Sequence, residues 1–279
     1  MITLPGLRTR KVVEPRTPGE LDAMAVAGAL VAAALKAVHG AAVPGVSTLE
    51  LDKIAESVIR DAGGTPSFLG YHDFPASICS SVNDRVVHGI PSATEALAAG
   101  DLVSIDCGAI VDGWHGDAAI TVAVGDVAPE VTELMRVTEE ALWAGMAAAR
   151  LSGRVSDISK AVETTVRTQG DYGILEDYVG HGIGTQMHLP PNVPNVVHRG
   201  ERGPKLVAGL ALAVEPMVTL GGADTDVLAD DWTVVTADGS LAAHFEHTFA
   251  LTPNGVWVLT ALDGGKERLA ALGVPCGGR

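Results

Sequence analysis

Residues 101–124 read DLVSIDCGAIVDGWHGDAAITVAV. Asp112-Gly113 separates two runs rich in Val, Ile and Ala, the strongest short-range signal for a two-residue β-hairpin loop. With 112 and 113 in the loop, Val111 faces Trp114, Ile110 faces His115 and Gly108 faces Asp117. Side chains alternate along a strand, so Asp106, Gly108 and Asp117 share a face. The two aspartates are then diagonal neighbours, roughly 7–8 Å apart at the backbone. Gly108 is expected to leave the space between them empty. Two carboxylates aimed into one gap repel each other unless a cation lies between them. Hard oxygen donors suit one or two divalent metals. Taken alone, the hairpin also allows a plainer reading, two exposed aspartates on a polar sheet face.

The chain has 279 residues, 47% of them hydrophobic but only 4% aromatic, so a sizeable core built mainly from aliphatics is expected. The net charge of −15 argues against a general affinity for nucleic acid or acidic membranes. The first sixteen residues run the other way, with Arg8, Arg10, Lys11 and Arg16 against Glu14; they form either a docking arm or a frayed basic extension. Cysteines at 79, 107 and 276 lack framework spacing and read as free thiols in a reducing compartment. The start, MITLPGLRTRK, has no apolar signal core, and the apolar run 23–38 is short for a membrane span and contains Lys36. The expectation is a soluble, cytoplasmic monomer.

Thr17-Pro18-Gly19-Glu20 and Ser47-Thr48-Leu49-Glu50 are capping boxes, predicting helices that run to about Gly40 and to Gly63-Gly64. Residues 65–91 read as strands and turns, followed by the hairpin. A second helix pair is expected over 128–150 and, capped by Ser156, up to Gly170. Then come GHGIGTQMHLPP, a loop with four prolines between 190 and 204, and strands over 206–220, 232–236, 241–251 and 256–260. The tail from 263 is expected to be peripheral. Two helices followed by strands, occurring twice, argue for α+β layers around an antiparallel sheet.

Further ligands must come from later in the chain. His181 lies among glycines in Gly180-His181-Gly182-Ile183-Gly184, a tight turn that brings other groups close to the ring or holds a structural histidine. Glu215 in ALAVEPMV and Glu246 in LAAHFEHTFAL are acids embedded in apolar strands. A buried carboxylate needs a partner. That partner is a cation, or an arginine for Glu215, or else Glu246 lies exposed on an edge strand with His244. Together with Asp106 and Asp117 they make an oxygen-rich set that two divalent cations would neutralise.

The segments VNDRVVHGIP (82–91), VSIDCGAIVDGWHGDAAITV (103–122), GHGIGTQMHLPP (180–191), AVEPMV (213–218) and DDWTVVTADGSLAAHFEHT (230–248) resemble, in order and spacing, the type I methionine aminopeptidases. The resemblance covers about 17–262. It implies an α+β pita-bread fold of two pseudo-symmetric halves, about 17–125 and 126–262, in one catalytic domain between an N-terminal extension (1–16) and a C-terminal tail (263–279). It implies hydrolytic removal of N-terminal methionine from peptides and nascent chains with a small second residue, using two divalent metals (Co, Mn, Fe or Zn) that activate a bridging water. Asp106 would bind one metal through both oxygens, Asp117 and Glu246 would bridge, and His181 and Glu215 would complete the other. His88 would contact substrate near the scissile bond, His188 would hydrogen-bond its carbonyl, and Glu215 would shuttle the proton. The methionine pocket would use Tyr71, Phe74, Cys79, Met187 and Trp232, with His72 near its mouth. The commoner residues of the family at 74 and 187 are tyrosine and phenylalanine. A transient ribosome association is implied as well. The same fold also serves prolidases and Xaa-Pro aminopeptidases, which usually carry a substantial extra N-terminal domain, and would serve a non-catalytic binding protein whose ligands had decayed. Here all five ligand positions hold the expected residue types.

Overall fold

A computed structural model describes residues 13–278; Arg8, Arg10 and Lys11 of the basic extension lie outside the described residues. The first helices are α1 (Pro18–Ala41) and α2 (Thr48–Asp61). Both start at the expected capping boxes. The Thr17 and Ser47 backbone N–H groups donate to Glu20 and Glu50 at 2.7 and 2.8 Å, and each cap hydroxyl accepts the glutamate N–H in return. Short strands β1 (Thr65–Pro66), β2 (Ile78–Val82) and β3 (Arg85–Val87) lead to the hairpin β4 (Leu102–Val111) and β5 (Trp114–Ala123). Its register is the expected one, Gly108 opposite Asp117. Asp112 and Gly113 have φ of 50° and 81°, as a type I′ loop demands.

The second half holds α3 (Pro129–Ala148), α4 (Val155–Gln169), β6 (Gly173–Ile174), β7 (Gly180–Gly182), β8 (Leu189–Val193), β9 (Leu210–Val214) and β10 (Met217–Thr219). It continues with β11 (Thr225–Val227), β12 (Val234–Thr236), β13 (Ala242–His244), β14 (Glu246–Thr252), β15 (Gly255–Val258) and α5 (Lys266–Ala271). Among the described residues, nine antiparallel strands form one sheet in the order β1-β4-β5-β14-β9-β7-β8, with β2 added on β4 and β15 on β14. Two three-stranded sheets flank it, β13-β10-β6 and β11-β12-β3.

Each helix pair closes its own core. Val31, Leu35, Leu51 and Ile59 pack on Val103, Ile105, Cys107 and Ala118 of the hairpin. Leu134, Leu142, Ile158 and Val162 pack on Leu212, Val214, Phe249 and Leu251. The odd-numbered residues of β4 thus face helices, which leaves Asp106 on the opposite face. Helix α1 comes unusually close: a Cβ on Gly28 would lie 2.2 Å from the Leu259 carbonyl oxygen, and one on Gly116 would lie 2.7 Å from the Gly28 nitrogen. Helix α1 runs 24 residues, as its capping box and Gly40 predict, and an 18-residue window of it has a mean hydropathy of 1.8, long and apolar enough by length and composition to cross a membrane. Half of that window is buried inside the fold, as expected of a core helix.

The structure corrects several expectations. The strand expected over 206–220 is two strands, because Pro216 has no N–H to continue the ladder; β9 stays in the large sheet and β10 joins a small one. Likewise 241–251 divides at Phe245 into β13 and β14, in different sheets. Helix α4 is capped by Arg154, not Ser156: the Arg154 N–H donates to Asp157 at 2.8 Å, and Ser156 lies inside the helix. His181 is in strand β7, not a turn. Gly180 and Gly182 are needed because a Cβ would strike the Ala213 and Pro190 carbonyl oxygens at 2.3 and 2.4 Å. The space over Gly108 is filled, with Ser67 and Phe68 2.8 Å from a Cβ there. Part of the proline loop is the edge strand β8, where prolines are tolerated. The tail is not peripheral: Leu269 is fully buried and the Gly277 N–H donates to Val256 at 2.7 Å.

Candidate active site

Five side chains converge where the two halves meet. Asp106 and Asp117 come from the hairpin, Glu246 from the start of β14, His181 from β7 and Glu215 from the break after β9. Pairing brings them together: Ala119 lies opposite both Asp106 and Glu246. Ligand-capable atoms of Asp117, His181 and Glu246 lie within 4.8 Å of one another. His181 Nε2 stands 4.0 Å from Asp117 Oδ2 and 3.6 Å from Glu215 Oε1.

The electrostatics are those of a cation site. Asp106 Oδ1, Asp117 Oδ1 and Glu246 Oε1 are buried and have no hydrogen-bond partner. Such orphans are rare in native proteins. Burial pushes the Asp106 carboxyl up to about 7. Burial and then Asp106 raise Asp117 and Glu215, and burial and then Asp117 raise Glu246. Burial also drives His181 down to about 4, so its imidazole is neutral and free to ligate. Four carboxylates and one imidazole, with oxygens unspent, fit a divalent cation of the Mn, Fe, Co or Zn kind.

The five side chains form one wall of a cavity of about 140 Å³. That is well below the roughly 300–1,000 Å³ of drug-sized sites. Phe74, Cys79, Met187, Tyr71 and Trp232 line it, and Phe74 meets Trp232 edge to face at 5.0 Å. His72 is exposed at the rim, 4.5 Å from the Tyr71 ring, and does not line the cavity. Phe68 does line it, and sequence reasoning missed it; the signal was its aromatic spacing of three from Tyr71 in SFLGY. His88 and His188 line it as well. His88, at φ 60°, lies 6.2 Å from Trp232, and burial lowers it to about 4. The His188 ring lies 4.4 Å from that of His181, and its Nδ1 is 2.8 Å from the Tyr71 hydroxyl.

An antiparallel sheet with a helix pair over each half, carrying an acidic metal-type cluster beside an apolar pocket, defines a metallohydrolase of the pita-bread fold. The model of metallopeptidase family M24 matches residues 22–253. Methionine aminopeptidase 1 of Mycobacterium tuberculosis is 58% identical over 265 residues, 93% of this chain and 99% of that protein. The crystal structure of a methionine aminopeptidase from Thermotoga maritima superposes with a TM-score of 0.87 at 39% identity, covering 89% of this chain and 99% of that one. A prolidase from Pyrococcus furiosus shares the fold at 20% identity and a TM-score of 0.71, with this chain covering 65% of it. The chain belongs to metallopeptidase family M24 and, within it, to the type I methionine aminopeptidases.

Proposed function

We propose that this enzyme removes the N-terminal methionine from peptides and nascent proteins whose second residue is small. The observation that carries this reading is the convergence of Asp117, His181 and Glu246 on one wall of a small cavity whose other walls are the apolar Phe68, Phe74, Met187 and Trp232. Asp106, Asp117, His181, Glu215 and Glu246 would hold two divalent cations. When bound, such cations polarise a carbonyl and bring a water's pKa toward neutrality.

The chain's own residues supply the rest. Phe74, Cys79, Met187 and Trp232 take the thioether, Met187 adding an adaptable wall. Filling that closed pocket leaves the second residue at the crowded rim of Tyr71, His72 and Trp232, which favours small side chains. His188 hydrogen-bonds the scissile carbonyl and stabilises the charge that develops there. His88 contacts the substrate beside the scissile bond, and Glu215 carries the proton to the leaving nitrogen. Residues 17–262 act as one catalytic domain between a short basic extension and a tail. The enzyme works as a cytoplasmic monomer, meeting chains through a transient ribosome association.

The test is a dipeptide panel with Mn(II) or Co(II) supplied. Met-Ala is cleaved and Ala-Pro is not; the reverse preference would replace this reading with a prolidase-like one.

A further inference from the structure

We propose that His244, the last residue of β13, is a positioning residue for Glu215. Its Nε2–H donates to Glu215 Oε2, leaving Oε1 to face the cation; this rests on the metal-site reading above.

The two oxygens of Glu215 face different histidines. Oε1 lies 3.6 Å from His181 Nε2, and Oε2 lies 4.0 Å from His244 Nε2. His181 belongs to the group whose ligand atoms converge, and His244 does not. The His244 side chain is 2% exposed, and its Nε2 is buried without a hydrogen-bond partner. A buried polar nitrogen left unpaired is costly. Closing the gap to hydrogen-bond range needs a shift of about 1 Å, within reach of a glutamate side chain.

The backbone that carries the imidazole is held in place from behind. The His244 N–H donates to Thr121 Oγ1 at 2.9 Å, and the Thr121 hydroxyl donates to the His244 carbonyl oxygen at 2.7 Å. Thr121 in turn sits 2.9 Å from Ser104 Oγ on β4. The His244 backbone is thereby tied to the same hairpin that carries Asp106 and Asp117, which sets where its ring starts. Glu215 stands between two strands of different sheets with Pro216 next; its backbone carbonyl accepts from Asn195 Nδ2 at 3.3 Å, and its carboxylate faces the two histidines. A carboxylate that spends one oxygen on a cation and the other on a fixed donor keeps a single orientation. Removing such a partner generally costs about 10–100-fold in metal affinity.

The experiment compares metal-stripped wild type with His244→Gln, which keeps an N–H donor, and with His244→Leu and His244→Met, which do not. Mn(II) binding is read by calorimetry and site geometry by the visible absorption of the Co(II)-loaded proteins. The account expects His244→Leu and His244→Met to weaken Mn(II) binding about 10–100-fold and to change the Co(II) spectrum, and His244→Gln to restore most of both. A folded Leu or Met variant with wild-type affinity and spectrum would overturn the proposal, as would a Gln variant no better than Leu. Wild type that takes up no Mn(II) would instead overturn the metal-site reading itself.

Discussion

At the residue scale, each buried carboxylate of the cluster is costly by itself and useful only to a cation. Asp106→Asn and Glu246→Gln should therefore separate function from folding. Each should cut peptide turnover by on the order of 10²-fold or more, because several kcal/mol of charge stabilisation is lost. In the metal-free state at pH 8, Glu246→Gln should melt higher than wild type, since it removes one of the mutually repelling carboxylates whose pKa values are pushed up. A lower melting point for that variant would contradict the repulsion. Asp52, on α2, is a different buried acid. Its Oδ1 accepts the Ser77 and Ile78 N–H groups at 2.8 and 3.0 Å, joining helix to strand. Asp52→Ala leaves both donors unpaired and should cost about 1–3 kcal/mol in denaturant unfolding, with little effect on KM.

At the element scale, what could be read from the chain was what local rules control. Asp112-Gly113 set the hairpin register, and the register put Asp106 and Asp117 on one face. The capping boxes at Thr17 and Ser47 placed two helix starts. Glu215 and Glu246 stood out as acids within apolar runs. What stayed hidden depends on contacts far apart in sequence. Pro216 is a local sign that a strand breaks there, but nothing local reveals that the chain changes sheets at Pro216 and Phe245, and those breaks bring Glu215 and Glu246 to the cluster and His244 behind it. The glycines around His181 looked like turn residues but serve close backbone approach. The family resemblance supplied His88 and His188, which no local rule would have chosen. Two glycines of α1 make the same contrast testable. Gly28→Ala drives a Cβ into the Leu259 carbonyl oxygen and should destabilise by about 1–3 kcal/mol or more. Gly19→Ala meets nothing within 4 Å and should stabilise by up to about 1 kcal/mol. Equal effects on thermal melting would refute the tight α1–sheet approach.

At the scale of the whole molecule, metal uptake and stability are linked through pH. The folded-state pKa of Asp106 is about 7 against an ordinary 3.8, and Asp117, Glu215 and Glu246 are raised too. Their contribution to stability is complete below the ordinary carboxylate range and is lost as pH rises through the raised values. Cations bind the deprotonated form and reverse that loss. The increase in melting temperature on adding Mn(II) should therefore grow from pH 5.5 to pH 8. An increase independent of pH would place the bound metal elsewhere.

The most direct measurement is methionine release from Met-Ala-Ser and Met-Leu-Ser by metal-stripped protein, before and after Co(II) or Mn(II) is restored. The expected result is no release without metal, and with metal rapid release from the first peptide and little from the second. Release that ignores metal would contradict the role of the acidic cluster, and equal release from both peptides would contradict the small-residue filter at the pocket rim.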